Sequence, residues 1–252
     1  MKTTVAKDST PLPSTPPQKP VSSIVYLIPC PLSEGVTETI PAYVLDAVKQ
    51  CQVFFVENER TARRFLKSIW KEMVIENYQW HTIHKAEKEI LSELGSAIKS
   101  KKIIGIMSEA GCPGIADPGQ ILVNRAQQMG AQVKPLVGPS SILMALIASG
   151  LNGQQFRFHG YLPIEAVKRR VALQHLDELA QKTGETQIFI ETPYRNDHLV
   201  GDILKTCRPY TKLCIAVDIT GRAESIRTQK IEDWKLANPV LQKQQAIFLL
   251  GV

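Results

Sequence analysis

From Ile24 onward, short apolar runs alternate with stretches whose apolar residues recur at helical spacing. SIVYLI, VFFVE, KIIGIMS and AQVKPLV read as strands. Between them, IPAYVLDAVKQ carries apolar residues at Ile40, Val44, Leu45 and Val48, one face of a helix. TARRFLKSIW, EKEILSELGSAIKS and QILVNRAQQMG read as further helices, the last closed by Gly130. The strands are nearly all apolar. That pattern predicts a parallel sheet covered on both faces, because a strand exposed on one side would alternate with polar residues.

Beyond Gly138 the texture changes. GPSSILMALIASG is a helix of small residues, FRFHGYLP a strand, and Ala166 to Lys182 a long helix. TQIFIE, KLCIAVDI, SIRTQKI and QQAIFLLG read as strands and NDHLVGDILKTC as a helix. Few helical crossovers separate the closing strands, so this half is α/β with a mixed sheet. The expected organisation is a disordered tail over residues 1–22, an N-terminal α/β domain over 23–138 and a C-terminal α/β domain over 139–252. The tail is rich in Pro, Ser, Thr and Lys and offers almost nothing to bury. No internal repeat is evident.

Composition changes little in this picture. With 252 residues, 44% hydrophobic and 21% charged, the chain can bury two ordinary cores. No run is long enough to cross a bilayer, and the N-terminus lacks the basic-then-apolar order of a signal peptide. Five cysteines without a CxxC pair argue against both a zinc site and a disulfide framework, and point to a reducing, cytoplasmic compartment. Net charge is +6, with 16 basic against 13 acidic residues in the first 150 and 14 against 11 in the rest. Neither half is a basic domain. His81, His84 and His175 read as surface residues. Arg63, Arg64 and the run Lys168-Arg169-Arg170 read as solvated helix faces.

The chemistry is expected in loops directly after strands, where ligands bind in doubly wound sheets. Pro29-Cys30-Pro31-Leu32 is a stiffened turn. In SEAGCPGIADPG, residues 108–119, Gly111, Gly114 and Gly119 permit close backbone approach, and Asp117 is poised either to cap the following helix or to meet a ligand. The nucleotide loops GxGxxG and GxxxxGK[ST] are both absent, which disfavours a dinucleotide or ATP. Gly138-Pro139-Ser140-Ser141 opens a helix that either serine can cap. Glu191-Thr192-Pro193-Tyr194-Arg195 leaves a carboxylate at the end of an apolar strand, either paired with Arg195 or facing a substrate.

Together PCPLSEG, SEAGCPGIADPG, VGPSS, FHGYLP and ETPYRN, in this order, resemble the tetrapyrrole methylase superfamily of S-adenosylmethionine (SAM) dependent methyltransferases. Within it the chain is most similar to the RsmI-like branch, which methylates the ribose 2′-hydroxyl of small-subunit ribosomal RNA. The resemblance implies a two-domain fold, a parallel-sheet domain followed by a mixed-sheet one, with SAM in the cleft between them, a homodimer, and no metal. It implies cofactor contacts from Pro29, Pro31, Ser108, Glu109, Ala110, Gly111, Asp117, Ser140, Ser141, Leu162, Pro163, Thr192 and Pro193. Glu191, Tyr194 and Glu57 are the candidate bases for a hydroxyl acceptor, and Arg60 and Arg195 the candidates to hold a substrate phosphate or carboxylate. RNA or a ribosomal subunit is the expected partner. A small tetrapyrrole-like substrate, or SAM binding without catalysis, are the alternatives. The chain departs from the branch pattern at PCPLSEG (usually PTPIGN), SEAGCP (SDAGTP), Glu57-Asn58-Glu59-Arg60 (EDTR) and Asp218-Ile219-Thr220-Gly221-Arg222 (RELTK-like).

Overall fold

The computed structural model describes residues 23–83, 87–241 and 243–252. The tail expected over residues 1–22 and the histidine at 84 lie outside the described residues.

The first sheet holds β1 (Ile24–Ile28), β2 (Val53–Val56), β3 (Gln79–Thr82), β4 (Ile104–Met107) and β5 (Gln132–Pro135). All pairings are parallel, in the order β3-β2-β4-β1-β5. Every residue of β2 and β4 is buried, as strands covered on both faces require. On one face, α1 (Tyr43–Gln50) and α2 (Glu59–Ile69) pack Val44, Val48 and Leu66 against Tyr26, Ile28, Phe54 and Met107. On the other, α3 (Glu87–Lys99) and α4 (Gln120–Gln128) pack Ile90, Leu94 and Leu122 against Val25, Phe55 and Ile106.

The second sheet holds β6 (Phe156–Tyr161), β7 (Thr186–Ile190), β8 (Lys212–Val217), β9 (Ser225–Lys230) and β10 (Ala246–Gly251), in the order β6-β7-β10-β8-β9. β6 and β7 run parallel and the other pairs antiparallel, the mixed sheet expected of this half. The small-residue helix α5 (Ser141–Ser149) lays Ala145 and Leu146 on Ile188, Ala216 and Leu249. Long helix α6 (Ala166–Thr183), α7 (Asn196–Thr206) and α8 (Ile231–Ala237) cover the opposite face around Phe189, Phe248 and Trp234. Among the described residues no helix is long and apolar enough to cross a membrane. All five cysteines are free.

Two elements escape the sequence pattern. β3 is four residues, QWHT, at a sheet edge and none is fully buried, so its hydrophobic signal is weak. It is held by side-chain stacking, Trp80 on Phe54 and His81 on Phe55, each with ring centroids 4.8 Å apart. His81 is therefore half-buried rather than a free surface residue. α8 follows β9 without a loop, starting where Ile231 turns into the core. A second correction concerns the basic run on α6. Arg169 is 6% exposed; its Nε and Nη2 donate to Asp202 at 2.8 and 2.5 Å, and its Nη1 to the carbonyl of Ile164. A buried guanidinium satisfied this way braces α6 on α7, and is not part of a solvated face.

Candidate functional site

Strand order explains why motifs far apart in sequence meet. β4, β1 and β5 are consecutive parallel strands of the first sheet, so the loops after Met107, Ile28 and Pro135 emerge side by side. They are stitched together by their backbones. Cys30 and Gly111 exchange two N–H···O bonds of 2.8 and 3.0 Å, an antiparallel bridge in which Gly111 adopts φ +71°. Gly138 lies so close to Pro29 that a Cβ there would fall 2.1 Å from the proline Cβ. The Cys30 thiol donates to the carbonyl of Ser108 at 3.1 Å. Burial, and then the charges of Glu57, Cys112 and Asp117, raise its pKa and keep it protonated for that role. Asp117 accepts from the N–H groups of Gly114 at 2.8 Å and Gly119 at 2.6 Å, folding its loop around one carboxylate. Burial pushes that carboxyl upward, and the two backbone bonds pull it part of the way back.

Opposite these loops stands the edge of the second sheet where β7 and β8 end and β10 begins. Two adjoining cavities of about 190 and 210 Å³ lie between the sheets and share Leu32, Ala110, Ser141 and Ile190. Glu191, Asp218 and Tyr161 enter from the second sheet. Glu57, Asp117 and Ser140 enter from the first side. A third cavity, about 360 Å³, opens beyond Leu32 and Ser108, between the loop at 30–37 and α2.

Glu191 is 4% exposed. Its Oε1 accepts from Thr192 N at 2.7 Å and Arg195 Nη2 at 2.6 Å. Among the described residues its Oε2 is buried without a partner. Burial raises the pKa, but the hydrogen bond from Arg195, the Thr192 N–H and the charges of Arg195 and Arg169 outweigh it, so the carboxyl lies below its ordinary range. The site thus holds an ionised acceptor with one buried, unpaired oxygen on a residue that lines the cleft, an arrangement that costs free energy until a donor reaches it.

The expected residues distribute unevenly. Ser108, Ala110, Gly111, Asp117, Ser140, Ser141, Glu57 and Glu191 line the two cavities between the sheets. Pro31 and Glu109 line the third cavity instead. Ser140 sits at the N-cap of α5 yet makes no side-chain cap bond, so both serines are left to the cleft. Pro29 is buried against Gly138. Thr192 contributes its N–H to Glu191, and Pro193 starts a 3-10 turn behind it. Arg195 is spent on Glu191. Tyr194 is 77% exposed beneath Lys243, and Arg60 is exposed on the first turn of α2; neither lines a cavity described above.

Leu162 and Pro163 show how a local irregularity moves a site. Strict alternation from Phe158 would aim Leu162 at the cleft. A bulge between Phe158 and Tyr161, with Gly160 at φ +67°, shifts the phase by one. Tyr161 joins Phe158 beside the cleft, Leu162 turns into the core under the sheet, and Pro163 stays exposed. Tyr161, Leu32 and Asp218 also line the cleft, although none was among the expected cofactor or substrate contacts. The glycine inside FHGYLP was the available signal for the bulge.

The profile of tetrapyrrole (corrin/porphyrin) methylases matches residues 26–235. The ribosomal RNA small subunit methyltransferase I of Mesorhizobium japonicum is 28% identical over 212 residues, covering 84% of this chain and 69% of that protein. The protein of the same name from Vibrio cholerae is 30% identical over 204 residues, covering 81% and 67%. Among solved structures, the methyltransferase CobJ superposes with a TM-score of 0.59 at 16% identity, covering 92% of this chain and 94% of that one.

Proposed function

The chain belongs to the tetrapyrrole methylase family, and on that premise we propose that it is a SAM-dependent methyltransferase acting on the ribosomal RNA of the small subunit, at a ribose hydroxyl. The observation that carries the cofactor assignment is the buried Oε2 of Glu191, a residue of the cleft wall, which has no partner among the described residues. It calls for a hydrogen-bond donor, and SAM carries an ammonium and two ribose hydroxyls. The RNA assignment rests on the two relatives named above, which match this chain over more than four-fifths of its length.

The lining fits such a ligand in other respects. Leu32, Ile142, Phe158 and Ile190 offer apolar walls. The N-terminus of α5, uncapped by side chains at Ser140 and Ser141, suits a carboxylate. The bound cofactor supplies an electrophilic methyl group on a cationic sulfur. The protein's part is alignment and exclusion of water. The Cys30–Gly111 bridge and the Asp117 brace hold the loops that would orient cofactor and acceptor. Glu57 is the group we assign to take the hydroxyl proton. It directly follows β2 at the cavity wall, and its Oε2 accepts from Glu109 N at 2.9 Å, which fixes its direction. Glu191, held low by Arg195, is suited to anchor a ligand rather than to take a proton.

A homodimer belongs to the same proposal. Leu143 and Ile147, one turn apart on α5, and Val137 before it are exposed apolar residues that a second copy would cover.

The test is methyl transfer from labelled SAM to purified small subunits, large subunits and precorrin-type compounds. Label in small-subunit RNA is expected, with Glu57→Gln lowering kcat by about 10²-fold or more while leaving the affinity for S-adenosylhomocysteine intact. Label confined to a precorrin would replace the RNA reading. A folded protein that binds neither SAM nor its product would remove the methyltransferase itself.

A further inference from the structure

The turn after β7 carries a ring that the cleft does not use. Tyr194 stands exposed to solvent, and the Lys243 ammonium lies 5.6 Å from its ring centroid. Neither the Tyr194 hydroxyl nor the Lys243 ammonium has a hydrogen-bond or ion-pair partner among the described residues. A lone exposed tyrosine is ordinary on a protein surface. A tyrosine with an unpaired cation over it is a cation–π pair in which the cation can still meet an anion.

The backbone under both side chains is pinned. Arg195 N donates to Thr192 O at 2.9 Å, and Arg195 Nη2 to Glu191 at 2.6 Å, which closes the turn on which Tyr194 stands. The buried Asn196 donates its Nδ2 to Gln244 O at 2.7 Å, and Asp197 Oδ1 accepts from Leu241 N at 2.8 Å. The start of α7 therefore grips the chain on either side of Lys243. Ring and ammonium are presented together on fixed backbone, which lowers the ordering cost of binding.

This surface continues the wall of the cleft. Tyr161 pairs in register with Ile190; both line a cleft cavity, and Tyr161 is itself exposed. Glu191 follows Ile190, and Tyr194 comes three residues later. A long ligand that leaves the cleft on this side meets two tyrosine rings and an ammonium. An aromatic face beside a cation matches a base and its phosphate, and it suits a single strand, whose bases have faces to offer.

We propose that Tyr194 and Lys243 form a landing platform for a nucleotide that flanks the acceptor in single-stranded RNA, with its base stacked on Tyr194 and its phosphate at Lys243. The inference rests on the RNA reading given above and adds to it a contact surface outside the cofactor cleft. Stacking and a phosphate contact position the strand without reading its sequence.

The experiment uses the full chain with Tyr194→Ala, Tyr194→Phe and Lys243→Gln. It measures methyl transfer to intact small subunits and affinity for protein-free small-subunit RNA. Tyr194→Ala is expected to raise KM and weaken RNA affinity by about tenfold with kcat little changed, while Tyr194→Phe, which still stacks, matches the wild type. Lys243→Gln is expected to weaken RNA affinity by about threefold and to lower the slope of log affinity against log salt by about 1. S-adenosylhomocysteine affinity is expected to be unchanged in all three, which also shows that they are folded. An unchanged KM in Tyr194→Ala, or a loss of kcat in Tyr194→Phe, overturns the platform and leaves the RNA reading intact. So does a raised KM on subunits without weaker binding of free RNA, which would give the surface to a ribosomal protein. A wild type that binds S-adenosylhomocysteine and transfers methyl to no RNA overturns both.

Discussion

Glu191 is where burial, charge and an unmet hydrogen bond coincide, and Arg195 decides its protonation. Arg195 supplies the 2.6 Å bond and the charge that overcome the upward push of burial. A carboxyl held below its ordinary range contributes stability above that range and loses it as pH falls through the folded value. Replacing Arg195 with Gln removes the main downward influences and leaves burial, so the folded value rises. S-adenosylhomocysteine affinity of the wild type is expected to stay flat from about pH 8 to about pH 5, while that of Arg195→Gln weakens as pH falls through this span. Isothermal titration across pH reads the difference, and parallel profiles would refute the assignment of Glu191 as the ligand's acceptor. Asp117 has a different task. Asn there can accept from the N–H of Gly114 or of Gly119 but sets its amide against the other, so Asp117→Asn is expected to cost about 1–3 kcal/mol. Urea titration measures it. Both side chains stood out in the sequence as acids in constrained loops. Their roles did not, because an Asx brace and a ligand contact use the same residue type.

At the scale of elements, the site depends on how closely loops approach one another. Gly138 exists for Pro29: an added methyl would lie 2.1 Å from Cβ and 2.5 Å from Cγ of a ring that is itself locked into the Cys30–Gly111 bridge. Gly138→Ala is expected to lower stability by about 1–3 kcal/mol, as overpacking does, and also to weaken cofactor binding, since the strain is relieved by moving the loops that line the cleft. Gly105→Ala is the control. It too is tight, 2.7–2.9 Å from Ile28 and Phe54, but it lies in the middle of β4. Its loss of melting temperature should come without a comparable loss of affinity in protein that remains folded. Calorimetry and ligand titration on the pair separate the two effects, and equal affinity losses would show that the loops are not specially coupled. The strands of both sheets were legible because β2, β4 and β10 are continuous apolar runs. β3 was not, since an edge strand of QWHT is stabilised by stacking that no periodicity records. The phase at Tyr161 and Leu162 was lost because a bulge rewrites alternation downstream of it.

At the scale of the whole molecule, a side-chain bond spans the cleft and joins loops 185 residues apart: Ser33 Oγ donates to Asp218 Oδ1 at 2.9 Å. The sequence offered both ends of this link without the link. Ser33 lies in PCPLSEG and Asp218 opens DITGR, two of the segments that depart from the RsmI-like pattern, and only the fold brings them together. Asp218 is held for the purpose. Its backbone is left-handed, φ +47°, its Oδ2 accepts from Ala223 N at 2.9 Å, and a Cβ at Gly221 would come within 2.2 Å of its carboxylate. A lone hydrogen bond of this kind is worth about 0.5–1.5 kcal/mol, too little to carry either sheet's stability but enough to bias how often the cleft opens. Ser33→Ala is therefore expected to leave the melting temperature nearly unchanged, to speed hydrogen exchange in the loop at 31–36, and to weaken S-adenosylhomocysteine several-fold through faster dissociation. Exchange unaltered in that loop, with dissociation unaltered as well, would mean that the two sheets are held by α5 and the chain crossing alone, and that the paired departures at Ser33 and Asp218 have no part in closing the site.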